Sequence, residues 1–307
     1  MYLINGGKEI IMDISYKSLE EIENMAINLG IKISEVTLMD QASSLECTKT
    51  EVIERMQYQY EVMKSSVQKG IDKDIRSTSG LTGGDAYRMS QARKENKTLC
   101  GSFFSGALMR AISVGEVNAS MGRIVASPTA GSSGIVPAAI ITMQEEKNLS
   151  DEDCIMALLT ASAIGMVISN NASLSGAEGG CQAECGSAAG MAAGALVELA
   201  GGNPHQVVHA VAIAMKNILG LVCDPVAGLV EVPCIKRNAS GVANAIVAAE
   251  MALADIKSVI PADEVIIAMK KVGDGMPRAL KETAEGGLAK TPTAERLAQQ
   301  IFGSNPN

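Results

Sequence analysis

A chain of 307 residues that is 47% hydrophobic allows one large domain or two modest ones, and with no Trp and three Phe its core must be built from Ala, Val, Leu, Ile and 17 Met. A net charge of −8 excludes a nucleic-acid or anionic-membrane surface as the main role. Seven cysteines are too few for a disulfide scaffold, and the opening MYLINGGKEIIMDISYKSLEEI has no cationic start followed by an apolar run, so the thiols are expected to be reduced and the chain cytoplasmic.

Apolar positions three and four apart, with charges between them, predict amphipathic helices over 17–29 and about 34–69. The polar, Gly-rich stretch KGIDKDIRSTSGLTGGDA (69–86) marks a boundary between an N-terminal helical lead (1–70), packed on the main body, and a helical catalytic domain (71–307). The same stretch also fits a long functional loop inside one continuous domain over 15–305. Further helices are predicted over about 102–118, 134–147, 151–168, 182–200, 204–221, 240–257, 262–272 and 291–302. Ser150 before three acidic residues, Asn203-Pro204 and Thr291-Pro292 are start signals for three of them. GRIVASP (122–128) and GLVEVP (228–233) are the only extended candidates, so the expected class is all-α, with functional loops at helix junctions. Residues 207–223 carry His209, Lys216 and Asn217 and are too short to span a membrane; they fit a buried core helix. In GSAAGMAAG, Gly186, Gly190 and Gly194 fall four apart on one face of a central Gly/Ala-rich helix. Each glycine costs about 1 kcal/mol of helix propensity relative to Ala, so the stripe predicts another backbone lying against it.

Three thiols stand at turns. Cys181 follows Gly-Gly at a helix start, where dipole and free amides favour thiolate; Cys223 precedes Asp-Pro; Cys234 follows Pro and precedes Lys-Arg. Thiolates from three separate turns suit an iron–sulfur cluster, although Cys-x41-Cys-x10-Cys matches no common ferredoxin or zinc spacing, and three buried cysteines acting as small hydrophobes is the plainer alternative. Cys185, one turn from Cys181, is either a fourth ligand or packed in the helix; Cys47, Cys100 and Cys154 are taken as structural. The loops STSGLTGGDA (77–86) and ASPTAGSSGIVPAA (126–139) offer amides and hydroxyls to an anion of carboxylate size, and neither has the Gly-Lys-Ser/Thr ending of a nucleotide phosphate loop. Ser79, Gly80, Thr82 and Gly83 in the first loop, and Thr129, Gly131, Ser132 and Ser133 in the second, are the candidate substrate-binding residues. Lys236, Arg237 and Asn238 are candidate catalytic residues: the cations can hold a carboxylate and a desolvated lysine can move a proton, against the alternative of a solvated turn preceding a helix. His205 and His209 share a helix face, but no Glu follows His205 and no third ligand is evident, so a surface or packed pair is expected rather than zinc.

Taken together, SGLTGGDA, PTAGSSGIVPA, EGGCQAECGSAAGMAAGALVELAGG and LGLVCDPVAGLVEVPCIKRNASG resemble the iron–sulfur-dependent L-serine dehydratases, in particular the separate α chain of the two-subunit form. The similarity runs over most of residues 15–295. The resemblance implies an oxygen-sensitive 4Fe-4S cluster held by Cys181, Cys223 and Cys234, with the fourth iron open to substrate and no pyridoxal phosphate. It implies conversion of L-serine to pyruvate and ammonia, as in amino-acid degradation and gluconeogenesis. It also implies a higher oligomer, and a separate β chain in place of the smaller α/β portion that precedes the helical one in single-chain members. This sequence departs from the single-chain pattern at Cys185, at Lys216-Asn217 where many have Glu-His, and at PCIKRN where many have PCIERN, which leaves residues 216, 217 and 236 without a matched role. The general base stays unassigned. The competing readings are an L-cysteine desulfidase on a similar scaffold, a cluster-holding subunit with no activity of its own, and a zinc-structured helical protein.

Overall fold

The computed structural model describes residues 2–5, 8–11 and 14–303, with side chains from residue 14 onward. An antiparallel pair, β1 (Tyr2–Asn5) and β2 (Lys8–Ile11), whose sequence signal of Asn5-Gly6 between two apolar runs was passed over, is followed by α1 (Leu19–Leu29), α2 (Ile33–Ser44), α3 (Lys49–Gly70), α4 (Asp85–Lys94) and α5 (Ser102–Ala119). Then come α6 (Ile135–Lys147), α7 (Asp151–Asn171), the single turn α8 (Gly176–Gly179), a π-turn (Gln182–Gly186) and α9 (Ser187–Leu199). The chain closes with α10 (Pro204–Lys216), α11 (Cys234–Leu253), α12 (Ala262–Gly275) and α13 (Pro292–Phe302). The all-α expectation holds for the body of the chain. GRIVASP and GLVEVP form no strand; the nearest extended pairing is an isolated bridge between Cys223 and Lys281.

Start signals read from the sequence work as capping chemistry predicts. Ser150 accepts from the Asp153 amide and Asp153 returns the bond, Asn203 does the same with Gln206 ahead of Pro204, and Thr291 caps Pro292 by accepting from the Ala294 amide. The predicted helix over 34–69 is two helices. Thr48 and Glu51 form a reciprocal capping box that starts α3, and Glu46 at φ 50 turns the chain between them. α11 begins at Cys234, six residues earlier than predicted, so Lys236, Arg237 and Asn238 occupy its first turns and not a loop ahead of it.

α9 is the hub, with α7, α10, α11 and α6 packed around it and every residue from Ser187 to Glu198 buried. Its small side chains let the neighbours approach closely. The glycine stripe meets side chains, however, and no partner backbone: a Cβ on Gly190 would press on Met215, and one on Gly194 would lie 2.3 Å from Ile164 Cδ1. Gly186 belongs to the π-turn and has nothing nearer than 3.9 Å. One cluster of buried apolar side chains extends from Leu19 and Ile22 of α1 to Ile266 and Met269 of α12. α7 is long and apolar enough to cross a membrane, but 67% of its apolar window is buried within this core.

At the far end of α9, Glu198 is 4% exposed. Its Oε2 accepts from the Ser34 amide at 3.3 Å and Thr160 Oγ1 at 2.8 Å, while Oε1 and Ser34 Oγ have no partner. Burial pushes its carboxyl above the ordinary range, against the opposing hydrogen bonds and Lys32. Glu35, Lys49, Glu152 and Asp153 line the same cavity. The folded state therefore binds this proton more tightly than the unfolded chain does, and stability falls as pH rises through the raised value. Glu198→Gln, which cannot ionise, is expected to raise the midpoint of thermal unfolding at pH 8 and to raise it much less at pH 5. Thermal unfolding at the two pH values checks this; an equal effect at both would show that ionisation is not involved.

Candidate functional site

The three thiols singled out by the sequence come together where α8, the π-turn, the 220–233 segment and the start of α11 meet. Cys181 opens the π-turn, which the buried Gln182 pins from three sides: its Nε2 donates to the Gly179 and Met269 carbonyls, and its Oε1 accepts from the Gly220 amide at 2.9 Å. Cys223 is fixed by its own backbone, donating to the Leu280 carbonyl and accepting from the Glu282 amide, each at 2.9 Å. Cys234 is the first residue of α11. Gly176 closes over the group: a Cβ there would lie 2.7 Å from Glu184 Oε2, 3.0 Å from Cys223 Sγ and 3.1 Å from Glu282 Oε2.

The sulfurs feel one another. Burial, then Glu184 and Cys181, drive the Cys223 thiol far above its usual value. Burial, then Cys181 and Glu184, push Cys234 up to about 12, although the residue as a whole is partly exposed. Cys181 alone is lowered, by a hydrogen bond from Cys185 and by the Arg237 guanidinium. As thiolates, the three would repel in a low-dielectric site that already holds Glu184, with Arg237 as the facing cation. Such a donor set calls for added positive charge. Among the described residues no three His, Cys, Asp or Glu side chains converge as ligands of a single ion. Thiols offered from three separate turns are donors of the kind an iron–sulfur cluster takes.

Both predicted loops reach this site, and their hydroxyls are engaged by buried carboxylates. Ser79 Oγ and Thr82 Oγ1 each donate to Glu231 Oε2 at 2.9 Å. Thr129 Oγ1 donates to Glu184 Oε1 at 2.7 Å and lies 3.1 Å from Ser132 Oγ, while Ser133 Oγ bonds the Ala130 carbonyl. Gly80 takes φ 78; Gly83 takes φ 139, with the Ile75 carbonyl 2.1 Å from where a Cβ would sit. Gly131 lies against Glu184. The first loop runs into α4, whose leading amides, of Asp85 and Ala86, are capped by buried Glu116.

The three candidate catalytic residues part company. Lys236 has a 67% exposed side chain and pairs with Asp85 at 2.8 Å. Arg237 turns inward, bonding the Val222 carbonyl and Asp224 Oδ1, each at 2.9 Å. Asn238 is buried and fully engaged: its amide donates to the Gly131 and Cys234 carbonyls and its oxygen accepts from the Gly134 amide, which clamps the 129–134 loop to α11. Sequence reasoning overlooked Glu184, Asp224 and Glu231. The available signal was a carboxylate inside otherwise apolar, Gly-rich motifs, where burial is costly unless hydrogen-bond or ionic partners offset it.

The remaining candidates resolve simply. The Ser258 amide donates to His209 Nδ1, which leaves the proton on His209 Nε2 to bond His205 Nε2 at 3.0 Å, and His205 Nδ1 then faces Glu23 at 2.6 Å. That chain uses every ring nitrogen. Cys154 is buried in the core, Cys47 is half-buried and Cys100 is exposed just ahead of α5. A cavity of about 670 Å³ beside Glu198, Leu38 and Met156 shares no residue with the thiol cluster; we take the buried polar cluster, and not this cavity, as the site.

The family profile described as serine dehydratase alpha chain matches residues 28–289. A probable L-serine dehydratase alpha chain of Bacillus subtilis (strain 168) is 50% identical over 288 residues, covering 94% of this chain and 96% of the relative. The L-serine dehydratase alpha chain of Peptoniphilus asaccharolyticus is 44% identical over 282 residues, 92% of this chain and 97% of that one. An L-serine dehydratase of Streptomyces coelicolor is 37% identical over 295 residues, 92% of this chain and 64% of that protein.

Proposed function

The chain belongs to the serine dehydratase alpha chain family, and from that premise we propose that it is the α subunit of an L-serine dehydratase, a lyase that releases pyruvate and ammonia from L-serine with a 4Fe-4S cluster held by Cys181, Cys223 and Cys234. The observation that carries this reading is geometric: Cys181 heads the π-turn that carries Glu184, Glu184 Oε2 lies 3.9 Å from Cys223 Sγ, and Arg237, in the first turn of the helix that Cys234 opens, bonds the Val222 carbonyl and Asp224 on either side of Cys223. A bound cluster with one iron free of protein thiolate supplies a Lewis acid for the substrate's hydroxyl and carboxylate. The chain's own residues orient and enclose. Arg237 sets positive charge beside the thiols, Asn238 and Glu184 fix the 129–134 loop, and Glu231 fixes the 79–83 loop. Glu184, whose Oε1 is bound to Thr129, presents negative charge to the ammonium of an amino-acid substrate. A separate β chain, supplying what the longer Streptomyces protein carries outside the match, completes the enzyme.

The test is purification without oxygen, together with a co-expressed β chain. The expected product is brown, holds about four irons and equivalent sulfide per α chain as a single cubane requires, and forms pyruvate from L-serine faster than it releases sulfide from L-cysteine. A colourless zinc protein, or preferential turnover of cysteine, would overturn the reading.

A further inference from the structure

One thiol in the site has no part in the reaction just proposed. Cys185 Sγ lies 3.4 Å from Cys181 Sγ, and both residues are buried. Residues four apart face each other over one helical turn. Here the intervening π-turn is locked by Gln182 and by the Gln182 amide bonding the Leu221 carbonyl at 2.9 Å, so the two sulfurs are held in contact. A buried cysteine is ordinarily an inert small hydrophobe. This one touches the sulfur of a proposed cluster ligand, in a protein whose cluster is expected to be lost to oxygen.

We propose that Cys185 is a resolving cysteine: in the cluster-free chain, peroxide links Cys181 and Cys185 in a disulfide that withdraws a ligand from the site and shields it until a thiol reductant reopens it. The first step converts the Cys181 thiol and hydrogen peroxide into a sulfenic acid and water. In the second, the Cys185 sulfur attacks the sulfenic sulfur, the S–O bond breaks and a second water leaves. In sum, two thiols and one peroxide give one disulfide and two waters; the sulfurs are oxidised and the peroxide oxygens reduced. Without a resolving partner, the sulfenic acid would advance to sulfinic acid, which ordinary reductants do not reverse. The disulfide's role in cluster loss rests on the cluster reading above; its formation does not.

The two sulfurs can be mapped because Glu184 lies between them. The full chain, stripped of metal by chelation, is treated with hydrogen peroxide, alkylated and cut after glutamate. Peptides 179–184 and 185–198 should then appear joined, two hydrogens lighter than their sum, and separate on addition of dithiothreitol. Intact wild-type protein given the same peroxide treatment, neither alkylated nor cut, and then reduced should regain the iron content of untreated protein on reconstitution, whereas Cys185→Ala should carry sulfinic acid at Cys181 and recover only a minor fraction. Alkylated Cys185 beside an over-oxidised Cys181 in the wild type, or linkage of Cys181 to Cys223 or Cys234 instead, would overturn the proposal. Failure of reduced, never-oxidised wild type to take up iron would instead refute the cluster reading and leave the mass result standing.

Discussion

Cys223→Ala is expected to yield a folded chain that comes through oxygen-free purification without iron and turns over L-serine on the order of a thousandfold more slowly. The magnitude follows because a metal centre contributes several kcal/mol of charge stabilisation to its reaction, and each step of about 1.4 kcal/mol is worth tenfold in rate. The fold should survive, since the Cys223 peptide is held by the Leu280 carbonyl and Glu282 amide independently of the sulfur, and the side chain gives up only a weak thiol hydrogen bond to Glu184 Oε2 at 3.9 Å. Cys181→Ala and Cys234→Ala should behave alike. Cys185→Ala should keep its iron, and Cys154→Ala, deep in the core beside Tyr60, should lose stability but no iron. Iron and sulfide analysis with a pyruvate assay, on protein whose circular dichroism matches the wild type, gives the answer. Iron retained in Cys223→Ala would break the proposed donor set.

What the sequence disclosed depended on how local each signal was. Caps are local, and Ser150, Asn203 and Thr291 marked their helices correctly from single residues. Thr48–Glu51 carried an equally local signal, but the continuous apolar spacing on either side hid it, and two helices were merged into one. α4 was missed for the opposite reason: DAYRMSQARK buries only Ala86 and has no apolar face to read; its amides are capped by Glu116 from thirty residues away. The start of α11 was read late because Pro233 and the Lys-Arg-Asn run look like a loop, although Pro just before a helix removes no intrahelical bond. In the site, the thiols were legible as a set only through their turns and the family motifs. The carboxylates that order the loops around them were not, because Glu231 and Glu184 gain their partners, Ser79, Thr82 and Thr129, through contacts between residues far apart in the chain.

The same dependence on distant partners makes Asp224 the most sensitive position outside the thiols. Its Oδ1 accepts from Arg237 Nη2 at 2.9 Å and its Oδ2 from the Leu288 amide at 2.8 Å, so one carboxylate ties the Cys223 loop to α11 and to the turn leading into α13. The Asp224 side chain is 4% exposed and that of Arg237 16%. Removing one partner of such a pair leaves the other charge buried and uncompensated, at about 3–5 kcal/mol. Asp224→Ala is therefore expected to lower the midpoint of thermal unfolding by about 6 °C or more, with urea unfolding reporting the same loss. Removing both charges, as Asp224→Leu with Arg237→Met, should recover much of that stability, since a well-packed apolar pair commonly replaces a buried ion pair without loss. Iron uptake should not return with it, because the guanidinium beside Cys181 and Cys234 is gone. Stability restored without iron assigns Arg237 to the site's electrostatics; stability and iron restored together would reduce the pair to a structural tie.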